Sequence, residues 1–203
     1  MGLLGKLSFK DQAFRLREDA ILDATTQTLT SKGFDLMTMD DVANLVGISK
    51  PSLYKHFKSK DDLVGAAMVR LIDGALAFLD DLDKTLSPIE KLRALLEWAL
   101  RVRLEGGMPF LPSTSPQVRA MLLKNLTYIA RVLKLNGQVE GFIKAAQKSG
   151  ELNTNLPVQV ILFSYYSRTC DPAVEFLQLY SKLSKDEIVE RMLQICFEGM
   201  GKQ

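Results

Sequence analysis

Three helix starts of one kind, a Ser or Thr with an acidic residue three positions later, constrain this chain more than any other feature. In Ser87-Pro88-Ile89-Glu90 the Ser and Glu side chains satisfy each other's orphan amides, and Pro88 occupies the first helical position, where no amide is needed. Ile89, Leu92, Leu96, Ala99 and Val102 then recur at helical spacing until Gly106-Gly107 ends the run. Ser184-Lys185-Asp186-Glu187 repeats the box ahead of the stripe Ile188, Met192, Cys196 and Met200, and Thr38 with Asp41 forms a weaker variant. Asp171-Pro172 separates two apolar helical segments, Val158 to Thr169 and Ala173 to Tyr180. Val118 to Gln147 is long and periodic, with a bend expected at Asn136-Gly137, and the proline-rich stretch from Gly106 to Pro116 is expected to be a loop. The best strand candidate, Val158 to Leu162, follows Pro157 and reads better as a buried helix. The predicted fold class is all-α.

Composition excludes several classes. With 47% hydrophobic and 25% charged residues among 203, the chain is neither disordered nor collagen-like. Two cysteines, Cys170 and Cys196, are too few for a disulfide framework or a Cys-rich zinc site. The opening Met1-Gly2-Leu3-Leu4-Gly5-Lys6 lacks a signal peptide's apolar core, and Lys6 breaks the myristoylation pattern. The longest uncharged stretch, Leu152 to Ser167, is too short and polar to span a bilayer, so a cytoplasmic protein with no membrane partner is expected. There are no paired carboxylates, no Ser-His-Asp set, no metal-ligand spacing and no phosphate-cradling glycine loop. No enzyme, no catalytic residue, no metal and no cofactor is expected.

A formal net charge of +2, taken alone, fits an ordinary globular protein better than a nucleic-acid binder. Its distribution reverses that. Residues 1–60 hold nine Lys/Arg against seven Asp/Glu, whereas residues 61–203 balance at seventeen each. Arg17 to Ser31 is predicted as a helix ending at Gly33. A short helix follows Thr38 and must stop at Gly47, which supplies the left-handed turn. Ile48 is expected in the core, Ser49 caps the next helix, and Leu53 and Phe57 lie four apart on its inner side. A short helix, a glycine turn and a second helix make the helix-turn-helix plan. Ser49 to Lys60 carries Lys50, Lys55, Lys58 and Lys60 with His56 and no acidic residue. A face of small, hydroxylic and cationic groups suits base edges and phosphates.

The spacing Thr38-x3-Val42-Ala43-x3-Gly47-Ile48-Ser49-x3-Leu53-Tyr54-x-His56-Phe57-x2-Lys60-x2-Leu63 closely resembles the DNA-binding domain of the TetR family of bacterial transcriptional regulators. Ile21-Leu22-Asp23-Ala24 and Lys32-Gly33-Phe34 resemble that family's first helix and its exit. The threonines at 25, 26, 28 and 30 depart from it and are expected to soften the helix. The resemblance implies that Thr38, Tyr54, His56 and Lys60 hold the phosphate backbone. It places Ser49, Lys50, Pro51, Ser52 and Lys55 in the major groove, with Lys50 or Lys55 donating to guanine. His56, the only histidine, is expected as a phosphate or intra-domain hydrogen-bond donor rather than a metal ligand. Lys6, Lys10, Arg15 and Arg17 form either an additional DNA-contacting arm or a solvated tail.

For the rest of the chain the resemblance implies architecture. A helix-turn-helix DNA-binding domain over residues 1–60, built of three helices, would precede a helical ligand-binding and dimerisation domain over residues 61–203. Partners would be double-stranded DNA, a second copy of the chain and a small-molecule effector. Val158 to Tyr180 and Lys185 to Gly199 match the family's dimerising helices, and Ile161, Phe163, Tyr165, Val189, Leu193, Ile195 and Phe197 supply more apolar surface than one stripe needs. Such a dimer would set two recognition helices roughly 34–36 Å apart on a palindromic operator. Trp98, Phe110, Met121, Tyr128, Phe163 and Tyr166 are the candidate walls of a pocket for an apolar or aromatic molecule, each equally explicable as core. The implied function is a repressor released by that ligand; the alternative is a DNA-binding protein of the same fold controlled by a protein partner.

Overall fold

The computed structural model describes residues 8–107 and 115–200, and over them the chain is helical, with no strand among the described residues. It divides into two compact units, Met1–Ala67 and Met68–Gln203.

The first unit contains α1 (Phe9–Leu36), α2 (Met39–Val46), α3 (Lys50–His56) and the opening turns of α4 (Lys60–Asp81). α1 begins well before the predicted Arg17 because Ser8 caps it, its hydroxyl accepting from the Asp11 amide at 3.2 Å. It breaks at Gly33, where φ is 74°. The threonine-rich middle is accommodated by back-bonding. Thr25 donates to the Ile21 carbonyl and Thr28 to that of Ala24, both at 2.7 Å, so these buried hydroxyls are satisfied within their own helix. Between α2 and α3, Gly47 takes the left-handed conformation (φ 76°, ψ 33°) and donates to the Ala43 and Asn44 carbonyls, closing the predicted turn. Ile21, Met37, Val42, Leu53 and Leu63 are fully buried at the centre, whereas Ile48 and Phe57 are only half-buried. Leu63, Val64 and Ala67 join this core. The unit therefore ends at Ala67, inside α4, and not at residue 60.

In the second unit α5 (Pro88–Leu104) is the central element, packed by α7 (Leu126–Lys148), α8 (Val158–Thr169), α9 (Ala173–Tyr180) and α10 (Lys185–Glu198). Leu92, Leu96 and Leu100 of α5 meet Ile143, Leu162 and Ile188 in the buried interior. Both expected boxes form, with Ser87 accepting from Glu90 and Ser184 from Glu187. The Arg103 guanidinium, largely buried, donates to both Glu175 carboxylate oxygens at 2.8 Å and to the Thr169 carbonyl at 2.9 Å, pinning the α8–α9 corner to the end of α5.

One expected bend moves. The chain breaks after α6 (Pro116–Leu122), where Asn125 caps α7 by accepting from the Tyr128 amide at 3.0 Å, and α7 then runs straight through Asn136-Gly137. A side-chain cap stops a helix here, whereas an exposed glycine within it does not. Most of the expected loop between Gly106 and Pro116 lies outside the described residues; Ser115 caps α6.

Candidate nucleic-acid interface and ligand cavity

The turn at Gly47 presents α3 with its N-cap, Ser49, accepting from the Ser52 amide at 3.3 Å. Leu53 is fully buried beneath the helix. Ser49, Lys50, Pro51, Tyr54 and Lys55 are exposed, Ser52 is half-buried, and α3 carries no carboxylate. These groups share the outer side of one short helix. Thr38 is exposed nearby in the chain, its hydroxyl occupied by the α2 capping box: it donates to Asp41 at 2.9 Å and accepts from the Asp41 amide at 3.1 Å. Asp41 also receives the Lys32 ammonium at 2.7 Å. The Lys32 hydrogen bond, followed by those from Thr38, lowers its pKa to about 2.

Two expected contacts turn inward instead. His56 has a side chain only 2% exposed, stacked on Phe14 of α1 with ring centroids 4.1 Å apart, and its Nδ1 lies 3.7 Å from Glu18 without a hydrogen-bond partner. It stands three positions after Leu53, on the same helical face, and that spacing carries it under α1 and away from solvent. Lys60, at the start of α4, donates to the carbonyls of Phe34 at 2.7 Å and Met37 at 3.1 Å, with its ammonium 4.3 Å from the centre of the Phe34 ring. A cation is poorly placed at a helix N-terminus, and the carbonyl-rich exit of α1 is the favourable site for it.

A residue not foreseen is Asp40. Its carboxylate holds the Lys50 ammonium at 2.8 Å, and that hydrogen bond raises the lysine's pKa. The acidic first turn of α2 was the signal available for it. Of the proposed basic arm, Lys6 lies outside the described residues, and Lys10, Arg15 and Arg17 are exposed on α1.

In the second unit, Tyr128, Phe163 and Tyr166 come together with Ile72, Val132, Leu135 and Asn136 around a cavity of about 120 Å³. Burial raises the Tyr128 phenol above its ordinary pKa. Trp98 and Met121 do not line this cavity. Trp98 stacks on Phe78 at 5.7 Å and lies against Gly74, while Met121 is half-buried on α6; Phe110 is outside the described residues. Of the apolar residues assigned to a dimer surface, Tyr165, Val189 and Leu193 are buried within the chain's own core. Phe163 and Ile195 are exposed, as is Val160 beside them on α8, and Ile161 and Phe197 are half-buried. No group of metal-ligating side chains occurs among the described residues, and no described helix is long and apolar enough to cross a membrane.

Residues 21–67 match the family model described as bacterial regulatory proteins, tetR family. The repressor KstR2 of Mycolicibacterium smegmatis is 34% identical over 39% of this chain and 39% of its own, so the chain aligns with well under half the length of that relative. The regulator RutR of Escherichia coli K12 is 27% identical over 94% of this chain and 93% of its own. Among solved structures, AibR in complex with isovaleryl coenzyme A and operator DNA shares the fold at a TM-score of 0.64, with 21% identity, covering 89% of this chain and 98% of its own.

Proposed function

The chain belongs, through its amino-terminal domain, to the TetR family of bacterial regulatory proteins, and on that premise we propose that it is a homodimeric repressor that binds a palindromic operator and leaves it when a small apolar or aromatic molecule enters the helical unit. The observation that carries the reading is α3: an exposed Lys50-Pro51 and Tyr54-Lys55 surface without a carboxylate, set by a left-handed glycine turn behind a capped α2. In this reading Lys55, Pro51 and Ser52 meet base edges, while Ser49, Tyr54 and Thr38 hold phosphates. Lys50 reaches DNA only by leaving Asp40. Unit Met1–Ala67 is the DNA-binding part and unit Met68–Gln203 the ligand-binding and dimerising part. The exposed Val160, Phe163 and Ile195 side chains supply apolar surface for a second copy.

The repressor sense is supported by KstR2, and a ligand-responsive helical unit by AibR, whose structure holds both an acyl thioester and its operator. Ligand binding releases DNA only if it favours a state that binds the operator less well. The test is sedimentation of the full chain with a palindromic duplex that it selects. Two chains per palindrome is the expected stoichiometry; one chain per duplex, with no dimer in free solution, contradicts the proposal.

A further inference from the structure

Two neighbouring tyrosines on α8 are treated differently by the fold. The Tyr165 hydroxyl donates to the Leu92 carbonyl at 2.8 Å, which satisfies it inside the core. The Tyr166 hydroxyl is equally enclosed, in a residue 5% exposed, and has no hydrogen-bond partner. A buried hydroxyl without a partner destabilises a fold, since it has lost water and gained nothing in exchange. Phenylalanine would fill the same space without that cost. The unpaired group is part of the wall of the 120 Å³ cavity, whose other sides are mainly Ile72, Val132, Leu135 and Phe163.

The cavity's size and chemistry restrict what it takes. An apolar cavity of about 150 Å³ stays dry and accepts a six-carbon ring, so this one holds about five or six non-hydrogen atoms. No Lys, Arg, Asp or Glu lines it. Burial, and after it the charge of Glu140, push the Tyr166 phenol far above its ordinary pKa, so the hydroxyl remains a proton donor across the physiological range. The same Glu140 charge, with no lining cation to offset it, disfavours an anionic guest.

We propose that Tyr166 is the polar anchor of a site for a compact, uncharged carbonyl group: a short branched or cyclic apolar body enters among Ile72, Val132 and Leu135, and its carbonyl oxygen accepts from the Tyr166 hydroxyl. The inference rests on the ligand-responsive reading of this unit and adds the chemical class. Two sources carry that chemistry, a free neutral ketone or amide and the acyl end of a thioester.

Calorimetric titration of the full chain without DNA tests it, with cyclopentanone, isovaleramide, isovaleryl coenzyme A, isovalerate and cyclopentane as probes. Cyclopentanone and isovaleramide bind; cyclopentane and isovalerate bind at least tenfold more weakly. Isovaleryl coenzyme A binding more tightly than the amide assigns the thioester source, and weaker binding assigns the free carbonyl. Tyr166→Phe lowers amide affinity about five- to tenfold. Without any probe, the same variant raises the unfolding temperature by about 2–4 °C, because it removes the unpaired hydroxyl. Val132→Phe, which fills the cavity, abolishes probe binding.

Isovalerate binding as well as its amide, cyclopentane binding as well as cyclopentanone, or a lower unfolding temperature for Tyr166→Phe overturns the proposal. Operator binding is measured separately. Failure of every probe with DNA binding intact removes this site alone, whereas a saturated site that leaves operator affinity unchanged removes ligand release and keeps the site.

Discussion

The Lys50 ammonium sits 2.8 Å from the Asp40 carboxylate, so the first cation of α3 is engaged across the turn by the first acidic residue of α2. Both side chains are about half exposed, and an ion pair in that setting contributes about 0–1 kcal/mol. A phosphate or a guanine edge can therefore displace Asp40 at small cost. Asp40 also places a negative charge where DNA is expected. Asp40→Asn should raise DNA affinity severalfold, with the larger gain on non-specific sequences, and should steepen the dependence of affinity on salt. Equal affinity and slope in the two proteins, measured by anisotropy titration over a range of salt, would show that Lys50 takes no part in binding.

Lys60 has a structural task. It gives two charged hydrogen bonds to the α1 exit and lies over the Phe34 ring. Lys60→Met keeps the apolar stem and removes those bonds, and should lower stability by about 1.5–3 kcal/mol in denaturant titration. The salt slope of DNA binding should stay where it was. Unchanged stability together with a slope smaller by about one would return Lys60 to the phosphate backbone.

His56 is packed for its ring. His56→Leu keeps an apolar group under Phe14 and removes the unpartnered Nδ1. The expected result is unaltered or higher thermal stability and retained DNA affinity. A tenfold loss of affinity with the fold intact, by circular dichroism, would make the imidazole a phosphate donor after all.

Much of the local structure was legible in advance because its causes are local. Ser87 with Glu90, Thr38 with Asp41, and Ser184 with Glu187 each close over three residues, and Gly47 ends α2 by its own backbone freedom. The two inward-turned side chains were not legible. Phe34 is twenty-six residues from Lys60, and a lysine's charge does not say which carbonyl it will reach. His56 carried a partial signal, its three-residue spacing from Leu53, but its position beneath Phe14 depends on α1 starting at Phe9 and not at Arg17. The cavity gathered only the pocket candidates on α7 and α8. Trp98 had an apolar partner, Phe78, on another helix, and no periodicity distinguishes a core aromatic from a pocket wall.

Asp41 gives the first unit an acid-sensitive point. Its carboxylate is held at a pKa of about 2 in the folded chain against an ordinary 3.8, so the α2 cap is more strongly made when it is ionised. The contribution is complete above about pH 4–5 and is lost as the pH falls toward 2. Asp41→Asn should flatten the acid limb of the stability curve in that window and leave it unchanged near neutrality in slope. An identical acid limb in both proteins would mean that the cap adds nothing to folding.

The central claim is that α3 reads DNA sequence as one of a symmetric pair. Selection of bound duplexes from a random pool, carried out with the full chain and sequenced after successive rounds, tests it most directly. The account predicts an enriched palindrome with half-sites about one helical turn apart, and a relaxed preference at one symmetric position for Lys55→Ala. A bound pool without an enriched palindrome, or Lys55→Ala weakening every sequence alike, would contradict it.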